Sequence, residues 1–96
     1  MKGLKKKRVL ITGGAGGIGR ACVDRFIEED SRIAVMDINA ASLKELTEEI
    51  PDLEISHAGD VASYDDIKGL FQIIDERWNG VDVVINNAGI SVRSSF

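Results

Sequence analysis

The stretch RVLITGGAGGIGR, residues 8–20, decides the fold. Its apolar start, residues 9–11, is typical of a strand that is buried on both faces of a parallel sheet. Five glycines follow between positions 13 and 19, and a helical pattern then begins with apolar residues at Ile18, Ala21, Cys22 and Phe26. A strand, a glycine-rich turn and a helix N-terminus together predict a phosphate-binding loop, because unpaired backbone N–H groups and the helix dipole attract an anion there.

The glycine spacing fits two kinds of phosphate site. Gly14, Gly16 and Gly19 match the general dinucleotide-binding fingerprint. Gly14 and Gly19 also have the spacing of a P-loop, but a P-loop continues with Lys and then Ser or Thr. Here the next residues are Arg20 and Ala21. The sequence therefore favours a dinucleotide over a nucleoside triphosphate, and the alternative is a glycine-rich turn that binds no ligand.

Composition limits the classes of function. The 96 residues suffice for one small domain, and 44% hydrophobic with 29% charged residues is ordinary for a globular chain. Residues 1–8 hold five of the 12 basic residues and none of the 16 acidic ones, so the body of the chain is strongly acidic. This argues against nucleic acid as the main partner. We interpret residues 1–7 as a solvated basic lead-in to the first strand.

Membrane and export functions are not expected. The apolar segment after the basic lead-in is too short for a signal peptide, and no segment of the sequence reaches the length of a membrane span. Cys22 is the single cysteine, on the apolar face of the first helix, and we expect a buried small side chain there. A lone thiol of this kind favours the reducing cytoplasm.

Strands and helices alternate along the whole chain. Strands are predicted at residues 9–11, 33–36, 53–57 and 81–85. The first helix is expected to end near Glu29, and the second to begin after an Asn39 cap and end at Pro51. The third has a capping box of Ser63 and Asp66, an Asn79-Gly80 stop and an apolar stripe at Ile67, Leu70, Phe71, Ile74 and Trp78. This alternation predicts an α/β fold, a doubly wound parallel sheet of Rossmann type with flanking helices.

Asp37 closes the second predicted strand, about 20 residues beyond the glycine loop. In such a fold this position lies near the adenosine ribose, where a carboxylate accepts hydrogen bonds from the hydroxyls and repels a 2′-phosphate. The following residues, Ile38 and Asn39, bring no compensating positive charge. We therefore expect NAD to be preferred over NADP, the alternative being a solvated aspartate at a strand end.

Four motifs together resemble the N-terminal half of a short-chain dehydrogenase/reductase. They are Thr12-Gly13-x-x-x-Gly17-x-Gly19, Asp37, Asp60-Val61 and Asn86-Asn87-Ala88-Gly89. The resemblance implies a strand order 3-2-1-4 in which Asn86 braces the sheet. It also implies a set of cofactor contacts: Gly13, Gly17, Ile18 and Gly19 at the pyrophosphate, Asp37 and the following Ile38 at the end of the second strand, Asp60 and Val61 at the adenine edge, and Asn87, Ala88 and Gly89 bordering the ribose and shaping the turn under the cofactor.

The resemblance leaves two alternatives within the family. Thr12-Gly13-x-x-Gly16-x-x-Gly19 also fits the extended branch of epimerases and dehydratases, but that branch typically lacks the Asn-Asn-Ala-Gly run. The family's catalytic Ser and Tyr-x-x-x-Lys segment is not expected within these 96 residues. Tyr64 and Lys68 have the right spacing, but they begin the third helix and are expected on its exposed face. His57 is interpreted as a strand-end residue and Trp78 as core, and no metal site is expected.

Two functional hypotheses follow. The first is the NAD-binding portion of an oxidoreductase that acts between an alcohol and a carbonyl, inactive alone and taking a small-molecule substrate only in a complete enzyme. The second is a nucleotide-binding module without chemistry of its own. In either case the fourth strand is apolar on both faces and is expected to lie at the edge of the sheet, which predicts self-association along residues 81–86 or poor solubility.

Overall fold

The computed structural model describes residues 6–87, which form a parallel sheet with helices on both faces. The elements follow one another as β1 (Arg8–Thr12), α1 (Gly17–Glu28), β2 (Arg32–Asp37), α2 (Ala40–Glu49), β3 (Ile55–Ala58), α3 (Tyr64–Trp78) and β4 (Val83–Asn86). None of the helices in this part of the chain has the length and apolar character needed to cross a bilayer.

The sheet has the order β3-β2-β1-β4, and every strand pair is parallel. Thr12 at the end of β1 lies beside Met36 on one side and Asn86 on the other, and Asp37 lies beside Ala58. The carboxyl ends of the four strands therefore meet at one edge, together with the turn that enters α1. The predicted fold class and strand order are confirmed.

Each face of the sheet has its own apolar core. On one face Val9 and Ile11 of β1 pack with α1 and α2 through Val23, Phe26, Leu43 and Leu46. On the other face Leu10 packs with α3 through Leu70, Ile74 and Trp78. The alternation of β1 side chains between the two cores explains why its sequence is a continuous apolar run.

The buried face of α1 differs from the predicted one. The helix buries Gly19, Val23 and Phe26, whereas Ile18 is 66% exposed and Ala21 is also exposed. The face is turned by one residue because Gly19 lies against the backbone of the preceding turn, and Val23 and Phe26 follow it at helical spacing. Cys22 is consequently half-buried beside the core, whereas the sequence predicted a buried side chain.

Two strands begin later than predicted. The expected strand at residues 53–57 begins at Ile55, because the Leu53 amide donates to the Ile50 carbonyl in a turn after α2. The expected strand at 81–85 is shifted to Val83–Asn86. Asp82, the polar residue before it, pairs with Arg8 at 2.9 Å at the start of β1. This ion pair explains a charge in an otherwise apolar segment.

The predicted helix caps are formed in part. Asn39 accepts a hydrogen bond from the Ser42 amide at 3.0 Å, and Asn79 ends α3 in the left-handed conformation. Ser63 accepts from the Asp66 amide at 3.2 Å, which is one half of the predicted capping box. The reciprocal half is replaced, because the Asp66 carboxylate accepts from the amide of Asp60 instead.

Candidate functional site

The turn between β1 and α1 depends on glycine conformations. Gly13 has φ of 71° and Gly17 has φ of 56°, both in the left-handed region that side chains with a Cβ rarely adopt. The Gly13 amide donates to the Met36 carbonyl at 2.7 Å, which fixes the start of the turn to the neighbouring strand β2. The loop is thus anchored where it leaves the sheet.

Gly19 allows α1 to begin directly against this turn. A Cβ on Gly19 would lie 1.9 Å from the Gly13 carbonyl oxygen and 2.8 Å from Asn87 Nδ2. By contrast, a Cβ on Gly16, the N-cap residue, would meet no atom within 4 Å. The inner side of the turn is therefore tightly packed, while its outer side is open.

The N-terminus of α1 is suited to an anion. Gly16 supplies no side-chain cap, and the first turn of α1 contains no acidic residue. Its N–H groups and the positive end of the helix dipole therefore remain available to a negatively charged ligand. The turn is packed so closely that a Cβ at Gly19 would disrupt it, and the first amides of α1 have no side-chain cap. This arrangement fits the diphosphate of a nucleotide.

The Asp37 carboxylate lies beside the glycine loop. Its Oδ2 accepts a hydrogen bond from the Ala15 amide at 3.1 Å, and its Oδ1 accepts from the Asn39 amide at 2.9 Å. Two backbone donors therefore orient the carboxylate. Each carboxylate oxygen has a further lone pair with which to accept from a ribose hydroxyl.

A cleft of about 270 Å³ opens next to Asp37, at the carboxyl ends of the strands. Five of its lining residues belong to the predicted cofactor set, namely Gly13, Asp37, Ile38, Asp60 and Val61, and Met36 and Gly59 complete it. The volume of the cleft is just below the usual range of small-molecule pockets, about 300–1,000 Å³. The cleft therefore suits a base and ribose better than a whole dinucleotide. Ile38 is 71% exposed and presents an apolar side chain at its rim.

The far wall of the cleft is the segment after β3. The Gly59 amide donates to the Asp37 carbonyl at 3.0 Å, and Asp60 Oδ1 accepts from the Ala62 amide at 2.8 Å. The Asp60 amide in turn donates to Asp66 Oδ2 at 2.9 Å. The sequence pattern predicts only a helix cap for Asp66, since a contact between residues six apart across a loop leaves no periodic pattern.

The end of β4 joins the site through two asparagines. Thr12 Oγ1 donates to Asn86 Oδ1 at 2.9 Å, so this side chain links β4 to β1. Asn87 Nδ2 donates to the Gly13 carbonyl at 3.1 Å and so contacts the glycine loop directly. Ala88 and Gly89, the remaining predicted cofactor residues, lie outside the residues that the structure describes.

The residues that sequence analysis set aside lie elsewhere. Tyr64 begins α3 and is 77% exposed, and Trp78 is buried with its Nε1 donating to Glu54 at 3.1 Å. His57 lies in β3, with its ring near Gly69. Residues 6–87 contain no group of three or more His, Cys, Asp or Glu side chains arranged to hold a metal ion.

The order of the strands and the loop at their carboxyl ends define a Rossmann-type α/β domain. The model of the short chain dehydrogenase family matches residues 7–96, and the chain therefore belongs to that family. The family binds nicotinamide dinucleotide cofactors, and one of the similar structures contains NADH.

Two curated relatives illustrate the sequence similarity. Cis-2,3-dihydrobiphenyl-2,3-diol dehydrogenase of Paraburkholderia xenovorans is 45% identical over 87 residues, which cover 91% of this chain and 31% of the relative. Cis-1,2-dihydrobenzene-1,2-diol dehydrogenase of Pseudomonas putida is 37% identical over 87 residues, covering 91% of this chain and 32% of the relative. The chain thus spans about a third of the length of these curated relatives.

Solved structures agree with this assignment. A short chain dehydrogenase from Bacillus anthracis superposes with a TM-score of 0.80 at 34% identity, covering 88% of this chain and 35% of that one. The 3-ketoacyl-(acyl-carrier-protein) reductase from Brucella melitensis, complexed with NADH, superposes with a TM-score of 0.78 at 25% identity. The match covers 84% of this chain and 33% of that chain.

Proposed function

We propose that this chain is the NAD-binding portion of a short-chain oxidoreductase that transfers hydride between an alcohol and a carbonyl. The observation that carries the proposal is the Asp37 carboxylate, oriented by the Ala15 amide at the open end of the glycine loop. A bound nicotinamide dinucleotide would supply or accept the hydride. The residues of this chain bind and orient the adenosine diphosphate half of the cofactor.

The contacts divide along the cofactor. Gly13, Gly17, Ile18 and Gly19 would face the pyrophosphate, Asp37 and Ile38 the adenosine ribose, and Asp60 and Val61 the adenine. Asn87, Ala88 and Gly89 would lie beneath it. The continuity of the cleft from Gly13 to Val61 supports this division.

Charge favours NAD over NADP. A 2′-phosphate on the ribose would approach the Asp37 carboxylate, and like charges repel. Arg20 follows the loop, but its guanidinium donates to Glu49 at 2.6 Å and to Asp24 at 3.3 Å. Its positive charge is therefore already paired with two carboxylates on the outer surface of the helices.

Isothermal titration of the 96-residue chain with NAD, NADP and ADP tests the proposal. We expect NAD and ADP to bind, and NADP to bind about tenfold more weakly, which corresponds to about 1.4 kcal/mol of repulsion. NADP that binds as tightly as NAD would contradict the role of Asp37. Hydride transfer from an added alcohol by this chain alone would contradict the expectation that the portion is inactive without further catalytic residues.

We also propose that β4 pairs with β4 of a second copy when the chain is on its own. Among the described strands β4 pairs only with β1, so it lies at the edge of the sheet. Val84 is 52% exposed there, and an unpaired strand edge with an exposed apolar side chain invites pairing with another chain. Sedimentation at rising concentration should show dimers, and Val84→Lys should reduce them. A monomer at high concentration would overturn this proposal.

A cytoplasmic location is proposed from the single, half-buried thiol of Cys22. A fluorescent fusion viewed in the cell tests it, and export of the fusion would contradict it.

A further inference from the structure

Asp66 does not line the nucleotide cleft, but it is hydrogen-bonded to the segment after β3 that forms the far wall of the cleft. It lies in the first turn of α3 and is half-buried, and its Oδ2 accepts the Asp60 amide proton at 2.9 Å. Asp66 is not among the residues that line the cleft, whereas Asp60 is. The hydrogen bond therefore acts on the cleft through Asp60.

Packing reinforces this contact. A Cβ on Gly59 would lie 3.1 Å from Asp66 Cβ and 2.8 Å from Met36 Cε, so the chain passes closely between α3 and β2. The Gly59 amide donates to the Asp37 carbonyl on the β2 side. The segment is thereby fixed on one side by β2 and on the other by the Asp66 carboxylate.

The orientation of the Asp60 side chain follows from these backbone contacts. Its carbonyl accepts from the Ser63 amide at 2.9 Å, and its Oδ1 accepts from the Ala62 amide at 2.8 Å. With Asp66 at its amide, Asp60 is held at three points. Its other carboxylate oxygen, Oδ2, makes no hydrogen bond within the described part of the chain and can accept one from a ligand in the cleft.

We propose that Asp66 is a positioning residue for the base end of the nucleotide site. It holds Asp60 in the orientation that accepts the exocyclic amine of adenine. This inference rests on the proposed function, and it goes beyond it by giving Asp66 a role in base selectivity in place of the capping-box role. A carboxylate suits this place because the first turn of a helix favours negative charge.

The test measures selectivity for the amine. ADP and inosine diphosphate differ in that an oxo group replaces the 6-amino group in inosine diphosphate, so the ratio of their dissociation constants reports on Asp60. We expect Asp66→Ala to weaken ADP binding about tenfold, the size of one lost hydrogen bond to a charged group, and to bring the ratio close to one. Asp66→Asn retains an oxygen acceptor and should restore most of the selectivity.

Ser63→Ala is the matched control. It removes the cap at the same helix end, because Ser63 Oγ accepts from the Asp66 amide, but it leaves the Asp66 carboxylate in place. A merely structural role for Asp66 predicts that Ser63→Ala and Asp66→Ala change binding alike. The positioning role predicts that only Asp66→Ala alters the ratio.

Hydrogen exchange gives a readout without any ligand. The Asp60 amide should exchange faster in Asp66→Ala than in Ser63→Ala, with the Gly13 amide, bound to Met36, as the internal reference. If the unsubstituted chain binds ADP and Asp66→Ala keeps the same ratio, the inference is wrong and the proposed function stands. If the unsubstituted chain binds no ADP, the proposed function fails and the positioning role fails with it.

Discussion

The Ala15 amide donates a hydrogen bond to Asp37 Oδ2 over 3.1 Å, so the last residue of β2 is fastened to the glycine loop before α1. The residue proposed to discriminate between cofactors thus also shapes the loop that would hold the pyrophosphate. Substitution of Asp37 should change both properties together.

Asp37→Asn should weaken NAD binding about tenfold and reduce the preference for NAD over NADP. A neutral amide removes the repulsion of a 2′-phosphate, and a hydrogen bond to a charged group contributes about 1.5–3 kcal/mol. Titration calorimetry with both cofactors measures the change. Asp75→Asn, on an exposed part of α3, removes one charge far from the cleft and should leave both affinities unchanged. A similar loss in both variants would refute a specific role for Asp37.

Gly19→Ala should lower the free energy of unfolding by about 3 kcal/mol, because its Cβ would lie 1.9 Å from the Gly13 carbonyl oxygen and the backbone has to move. Gly16→Ser is the control. Its φ of −149° suits any residue, its Cβ meets open space, and Ser is a good N-cap. Urea unfolding should show a control that is unchanged or slightly stabilised. Equal stability of the two variants would contradict the close approach.

Asp82→Asn should destabilise the chain at neutral pH and have little effect in acid. Hydrogen bonds from the Arg8 side chain and amide hold the pKa of Asp82 well below its ordinary value of 3.8. A lowered carboxyl pKa stabilises the folded state above the unfolded pKa, and this contribution is lost as the pH falls through the folded pKa. Urea midpoints measured from pH 7 down to about pH 2 should therefore keep their difference down to about pH 4 and draw together as the pH falls further. A difference that stays constant over this range would be the contrary result.

Trp78→Phe should cost about 1–3 kcal/mol, because Trp78 is 5% exposed and its Nε1 donates to Glu54 at 3.1 Å. The Arg32 guanidinium also lies 5.5 Å from the ring centroid and would lose part of this contact. Thermal unfolding measures the change. Tyr64→Phe, at a side chain that is 77% exposed, is the control and should stay within about 0.5 kcal/mol of the unsubstituted chain.

Much of the fold could be predicted because local patterns and tertiary packing agree. Each of three patterns fits one local structure. The apolar run fits the buried strand β1, the glycines fit the turn into α1, and the apolar stripe fits the helix α3. Leu70, Ile74 and Trp78 are buried as their helical spacing predicted. The place of Asp37 beside the loop follows from the parallel order of β1 and β2.

The parts that could not be predicted depend on contacts between segments. Ile18 fits an apolar helical face in sequence, but the close approach of Gly19 to Gly13 turns that face by one residue. Asp66 matched the spacing of a capping box, yet its carboxylate bonds to Asp60 in a preceding loop. Competition between two backbone donors for one carboxylate is decided by the path of the loop, which short-range patterns do not encode.

Gly13 is held from both sides, since its amide donates to the Met36 carbonyl of β2 and its carbonyl accepts from Asn87 after β4. β2 and β4 are not neighbours in the sheet, yet both are bonded to Gly13 at the edge of the site. A shift of either strand would be transmitted to Gly13, so affinity for a nucleotide should respond to substitutions made in β2 or β4.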